Sequence, residues 1–227
     1  MRVCVLIPAF NEAARIGLTI QALRARPEIA DIVILDDGSS DGTADRARTA
    51  GASQVISAKN GGKGAALTAA YAAVRGHFDV YLLLDADLGA SAGEAVKLLP
   101  LLTRGAADMV VGMLPPDPAF AASGQTGGRG FVVWLARWGI LRRSGQTFRQ
   151  PLSGQRAVRG AVLEALGGTF AAGFGVEVDL TVRALAAGYR VAEVETEFRH
   201  HVTGGDWASL RHRARQFRDV AQVVLGA

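Results

Sequence analysis

The stretch Tyr81-Leu82-Leu83-Leu84-Asp85-Ala86-Asp87-Leu88-Gly89 constrains this chain more than any other. Val80 to Leu84 shows no polar alternation, which suits a parallel strand covered on both faces. The strand ends in two carboxylates, and open α/β sheets place their ligands at the carboxyl ends of their strands. Two carboxylates two residues apart repel each other unless positive charge lies beside them. A divalent cation that also binds a diphosphate neutralises both anions at once. On this stretch alone, a pair of capping or turn aspartates in a strand-to-helix loop explains the pattern equally well.

The rest of the chain repeats the same design. Val3 to Ile7, Asp31 to Leu35, Val55-Ile56 and Met109 to Met113 read as strands. Helices are expected from about Glu12 to Arg24 (with Asn11 as a candidate N-cap), Thr43 to Ala50, Ala65 to Val74 and around Gly93 to Leu102. This alternation over the first ~115 residues predicts a doubly wound, mostly parallel α/β sheet. Residues 114 to 130 carry Pro115, Pro116, Pro118 and four glycines, and read as a loop. Beyond it come an aromatic helix from Phe131 to Leu141, a short helix near Val162, a helix opening at Gly173 to Asp179, and a strand from Val191 to Phe198. An amphipathic helix from about Ala208 to Val224 ends the chain. The 227 residues fit one large domain, read as two halves, 1–113 and 114–227, of the same unit.

Composition narrows the function. With 49% hydrophobic and 20% charged residues, the chain can bury a sizeable core. Cys4, the one cysteine, sits among Val3, Val5 and Leu6 as a small core residue, so no thiol chemistry is expected. The chain starts on its first strand, with no signal-peptide pattern and no apolar run of the ~20 residues a spanning helix needs. A cytoplasmic location is expected. Net charge is +4, and the basic excess lies largely after Arg129, which favours an anionic ligand or lipid there over nucleic acid.

Three acidic loops at strand carboxyl ends converge: Pro8 to Glu12, Asp36 to Gly42, and Asp85 to Gly89. They suit a nucleoside, whose base and ribose offer N–H and O–H donors, with a metal covering the phosphates. A Rossmann fingerprint would need glycines where Pro8-Ala9-Phe10 stands. A P-loop would need Ser or Thr after Lys63, and Gly64 follows instead. A sugar nucleotidylyltransferase would carry a glycine-rich, basic loop after the first strand.

Four motifs in order, Ile7-Pro8-Ala9-Phe10-Asn11-Glu12, Asp36-Asp37-Gly38-Ser39-Ser40-Asp41-Gly42-Thr43, Asn60-Gly61-Gly62-Lys63-Gly64 and Asp85-Ala86-Asp87, resemble family 2 type glycosyltransferases of the GT-A fold. The resemblance covers roughly residues 1 to 200. It implies a nucleotide-sugar donor, UDP-glucose before GDP-mannose, and Mn2+ or Mg2+ as cofactor. It places Pro8, Ala9, Phe10, Glu12, Asp37, Gly62, Lys63, Asp85 and Ala86 around the donor, and makes Asp87 a catalytic metal ligand. Pro151-Leu152-Ser153-Gly154-Gln155 and Gly173-Phe174-Gly175-Val176-Glu177-Val178 resemble the acceptor side of glucosyl-3-phosphoglycerate synthases, and the Ser-Gly segment also that of polyprenyl-phosphate sugar synthases. By that resemblance Gly154 and Gln155 lie at the acceptor, Glu177 contacts the transferred sugar, and His200 is a second metal ligand, with His201 the close alternative. Members that glycosylate neutral hydroxyls usually carry adjacent acids as catalytic base. Glu177-Val178-Asp179 departs from that, which suits an acceptor already ionised.

Arg211, Arg215 and Arg218 share one flank of the last helix, as an anion site or as a solvated face. Phe131 to Trp138 with Arg142-Arg143 suits a membrane interface, a core helix or a contact between two copies in a homodimer. The expected partners are a nucleotide sugar and a small anionic or lipid-phosphate acceptor, with no nucleic acid. A domain that binds nucleotide sugar without catalysis is the reading from a different class.

Overall fold

The computed structural model describes residues 1–115, 129–171 and 175–200. Most of the Pro/Gly-rich stretch after Leu114, His201 and the final helix with Arg211 and Arg215 lie outside the described residues.

Seven strands form one sheet: β1 (Val3–Ala9), β2 (Asp31–Asp36), β3 (Gln54–Ser57), β4 (Val80–Leu83), β5 (Met109–Met113), β6 (Arg156–Arg159) and β7 (Val191–Glu195). Their order is β3-β2-β1-β4-β6-β5-β7. Every pairing is parallel except those of β6, which runs antiparallel to both β4 and β5. The central strands β1, β2 and β4 lack polar alternation because each face has its own helical layer. On β1, Val3, Val5 and Ile7 pack with Ile16, Ile20 and Leu23 of α1 (Ile16–Arg24), while Cys4 and Leu6 pack with Ala66, Ala70 and Tyr71 of α3 (Lys63–Val74). Val80 and Leu82 against Tyr81 and Leu83 repeat that division on β4. The small residues of α3 let it lie close on the sheet.

The first face is completed by a 3-10 helix, Gly89–Leu98, and α4 (Leu99–Thr103), where one α-helix was expected. α2 (Thr43–Thr49) lies beside α1. On the other face stand α6 (Gly160–Ala165) and α7 (Val176–Ala186). α5 (Arg129–Ser144) packs Val132, Leu135, Ala136 and Ile140 against Val178 and Val182 of α7 in a third apolar cluster.

Two local expectations are corrected. Asn11 is not an N-cap: α1 begins at Ile16, and Asn11 sits at φ 55, with its side-chain oxygen accepting from the Ser40 amide at 3.0 Å. Asparagine tolerates this left-handed region better than most residues, so it serves the turn instead. Arg156–Arg159 is a strand where none was expected. Its register, Leu83 opposite Arg156 and Val111 opposite Arg156, comes from two distant strands, and four residues carry too little periodicity to announce it.

The parallel pair β5–β7 is locked just before both strands begin. Arg190 donates from Nε to Asp108 Oδ2 and from Nη2 to Asp108 Oδ1, each at 3.0 Å. These hydrogen bonds hold the Asp108 carboxyl below its usual value. A depressed native pKa stabilises the fold above the unfolded carboxylate's pKa of about 4, and that stabilisation is lost as pH falls through the native value. Asp108→Asn should therefore have a lower urea midpoint at pH 7 and a shallower decline of that midpoint below about pH 4 than the parent. Parallel declines in the two proteins would refute this.

Candidate active site

The loops after β1, β2 and β4 meet at the carboxyl edge of the sheet and brace one another through side-chain oxygens. The Asn11 amide donates to Ser39 Oγ at 2.9 Å and the Glu12 amide to Thr43 Oγ1 at 2.8 Å. Asp37, almost fully buried, accepts from the Gly61 and Gly62 amides, both at 2.8 Å, and shapes the glycine turn that opens α3. Its carboxylate is thus spent within the protein, and its bearing on a nucleoside runs through that turn. Glu12 is paired with Arg15 at 2.8 Å. Ala9 is buried, Pro8 partly so, and Phe10 stands half exposed beside them, an apolar ring open to a ligand.

The glycine turn delivers Lys63, the first residue of α3, into the centre of the cleft. Lys63 Nζ donates to Asp85 Oδ1 at 2.7 Å and to Glu177 Oε1 at 2.8 Å. It is fixed between two carboxylates from opposite halves of the chain. Burial works against the ammonium, yet Asp85 and Glu177 hold its pKa well above the ordinary lysine value. Burial would likewise raise Asp85, but Lys63 and then His200 outweigh it and keep this carboxyl ionised.

Gln155 and Gly154 close on Asp85 from behind. Gln155, fully buried, accepts the Asp85 amide at 3.1 Å and donates from Nε2 to Asp85 Oδ2 at 2.6 Å. Its amide is occupied by Asp85 and lies 3.3 Å from His200 Nε2. A Cβ on Gly154 would stand 2.8 Å from both Asp85 Oδ2 and Lys63 Nζ, so any side chain there would push on the Lys63–Asp85 bridge. The two residues therefore lie against the acidic pair. Ala86 turns its carbonyl to Thr19 Oγ1 at 2.7 Å, and the same hydroxyl accepts the Gly89 amide at 2.9 Å. Thr19 was not anticipated; its signal is a hydroxyl on the apolar face of α1, between Ile16 and Ile20.

Asp87 meets His200, with Nδ1 2.9 Å from Oδ1. Burial disfavours a charged imidazole, but the Asp87 hydrogen bond and the charges of Asp85 and Asp87 prevail and raise the His200 pKa. Among the described residues no three His, Cys, Asp or Glu side chains are grouped to hold a metal ion. One carboxylate and one imidazole nonetheless form a donor pair suited to Mn2+, and a diphosphate and water can fill the remaining positions. Asp85, held by Lys63 and Gln155, faces the pair from 3.8 Å.

Removing Lys63 would leave Asp85 and Glu177 as two uncompensated, largely buried anions. Lys63→Met should lower stability by roughly 3 kcal/mol in urea denaturation, as removal of one partner from a buried charge cluster does. A loss under about 1 kcal/mol would show that the bridge is already screened by water.

The arrangement has close counterparts. A family model described as glycosyl transferase family 2 matches residues 4–143. Glycosyltransferase AglJ of Haloferax volcanii is 32% identical over 207 residues, covering 90% of this chain and 65% of that protein. This chain therefore spans a little under two thirds of AglJ's length. Undecaprenyl-phosphate mannosyltransferase of Micrococcus luteus is 29% identical over 206 residues, covering 87% of this chain and 84% of the relative. Glucosyl-3-phosphoglycerate synthase of Mycobacterium tuberculosis, solved with Mn2+, uridine-diphosphate-glucose and phosphoglyceric acid, superposes with a TM-score of 0.79 at 28% identity, over 99% of this chain and 79% of that one. With the sheet, its antiparallel sixth strand and the acidic edge in place, the chain belongs to glycosyl transferase family 2, with a GT-A fold.

Proposed function

We propose that this protein transfers a hexose from a nucleoside diphosphate sugar, UDP-glucose in the first instance, to an acceptor that carries a phosphate or carboxylate. The observation that carries the reading is the cluster Lys63–Asp85–Glu177 set beside Asp87–His200 at one sheet edge. Residues 1–113 supply the donor side and 114–227 the acceptor side. Phe10 and the braced loops after β1 and β2 receive the nucleoside. Asp87 and His200 would hold a divalent ion, which when bound neutralises charge developing on the leaving diphosphate. Lys63 fixes Asp85 and Glu177 in register, and Glu177 presents its carboxylate to the sugar, where it opposes positive charge at the anomeric carbon. The donor assignment is supported by the uridine-diphosphate-glucose bound in the M. tuberculosis relative.

An ionised acceptor is supported by what stands where a second acid would be needed. Asp179 is tied to Arg183 at 3.2 Å, and Val178 between it and Glu177 is buried. No carboxylate pair is left there to deprotonate a neutral hydroxyl. A small phosphorylated acid is the acceptor we favour.

Exposed residues on α5 support a second reading, a lipid phosphate at a membrane surface. Phe131 and Trp134 are each 54% exposed and Trp138 37%. Their rings stack in sequence at 5.5 and 6.4 Å, and the Arg142 guanidinium sits 5.9 Å from the Trp138 ring centre. Trp and Arg together suit the headgroup zone. No helix among the described residues is long and apolar enough to cross a bilayer.

Two measurements separate these readings. Hydrolysis of UDP-glucose should need Mn2+ or Mg2+, stop in chelator, and fall at least a hundredfold in Asp87→Ala with an unchanged circular dichroism spectrum, since the ion contributes several kcal/mol to the transition state. Full activity in chelator would defeat the metal-dependent reading. Co-sedimentation with liposomes of anionic lipid should be absent if the acceptor is a small acid. Binding that is lost in Trp134→Ala/Trp138→Ala would instead establish the lipid-phosphate reading.

A further inference from the structure

We infer that Arg156 is a positioning residue for the proposed transfer, locking the Pro151–Gln155 turn to the first turns of α7 so that Gly154 and Gln155 press on Asp85. The inference rests on the proposed reading for its kinetic consequence and on geometry alone for its structural one. Arg156 is the largest fully buried side chain among the described residues, at 1% exposure, and it forms no ion pair among them. Buried charges are as a rule paired, so an unpaired guanidinium marks a place where its fork of donors is needed.

All three of its nitrogens are used on neutral oxygens. Nε donates to the Ser153 carbonyl at 2.9 Å, Nη2 to the Pro151 carbonyl at 2.9 Å, and Nη1 to Thr181 Oγ1 at 2.7 Å. Thr181 in turn donates to the Glu177 carbonyl at 2.9 Å. One planar group thus joins the turn behind Asp85 to the helix that carries Glu177, the two carboxylates that Lys63 bridges. Ser153 adds a second tie, from Oγ to the Gly112 carbonyl at 2.6 Å. With the turn held this way, Gly154 lies against the Lys63–Asp85 bridge and Gln155 grips Asp85 through both its amide and its carboxylate. Burial brings the guanidinium down to about 10, still charged at neutral pH. A lysine would keep the charge but could not reach three acceptors in one plane.

The test compares Arg156→Lys with Thr181→Val, the milder variant that removes one bond and keeps the arginine. Amide hydrogen exchange across residues 150–157 and hydrolysis of UDP-glucose in Mn2+ are measured on the full chain. Arg156→Lys should accelerate exchange in 151–155 at least tenfold while β1 and β2 stay protected. Its kcat for hydrolysis should fall at least tenfold, with UDP affinity by calorimetry within threefold of the parent. Thr181→Val should move both readouts the same way by a smaller factor, and it carries the test if Arg156→Lys fails to fold. Unchanged exchange in 151–155 would overturn the inference. So would a loss of protection spread evenly over the sheet, which marks a general core role. A parent protein that neither binds nor hydrolyses UDP-glucose would defeat the proposed donor instead, and the exchange result would still decide the role of Arg156.

Discussion

The contact on which the rest of the site depends is the Lys63 ammonium between Asp85 and Glu177. Without a cation there, two carboxylates in a low-dielectric cleft would raise each other's pKa or separate, and the halves of the chain would lose their common reference point. Each neighbour serves that contact. Asp37 orders the glycine turn that starts α3 and so aims Lys63. Gln155 and Gly154 seat Asp85 from behind, and α7 brings Glu177 down with its apolar residues buried. The bridge is the junction of the glycine turn that opens α3, the loop after β4 and the start of α7.

His200 joins the two aspartates that follow β4. Lys63 saturates Asp85 and Glu177, whereas Asp87 meets His200 Nδ1, and the other ring nitrogen of His200 lies 3.8 Å from Asp85 Oδ2. Residues two apart leave a β-strand on the same side only while the strand continues, and β4 ends at Leu83, before either aspartate.

Much of the fold was legible because apolar runs of strand length alternate with helical segments. Val3 to Ile7 and Val80 to Leu84 announced buried parallel strands; both are buried strands, β1 with parallel neighbours on both sides and β4 (ending at Leu83) parallel to β1 but antiparallel to β6. The three acidic turns are legible in the sequence because each directly follows an apolar run of strand length. Asn11 was misread because capping and left-handed turns draw on the same short polar residues. β6 was missed because its pairing partners lie more than 40 residues away on both sides. Arg211 and Arg215 lie outside the described residues.

What the amino-acid order determined by itself was the class of architecture, its hydrophobic layering and the identity of the charged residues at the strand ends. These depend on local periodicity and on residue type, which sequence records directly. Which charges meet was decided only by tertiary structure. Lys63 and Glu177 are 114 positions apart, and Asp87 and His200 are 113 apart. Their encounter requires the whole sheet to close, and no local pattern encodes a distance across it. The same holds for Arg156, one of the two arginines that end the short strand β6: only folding surrounds it with three oxygens.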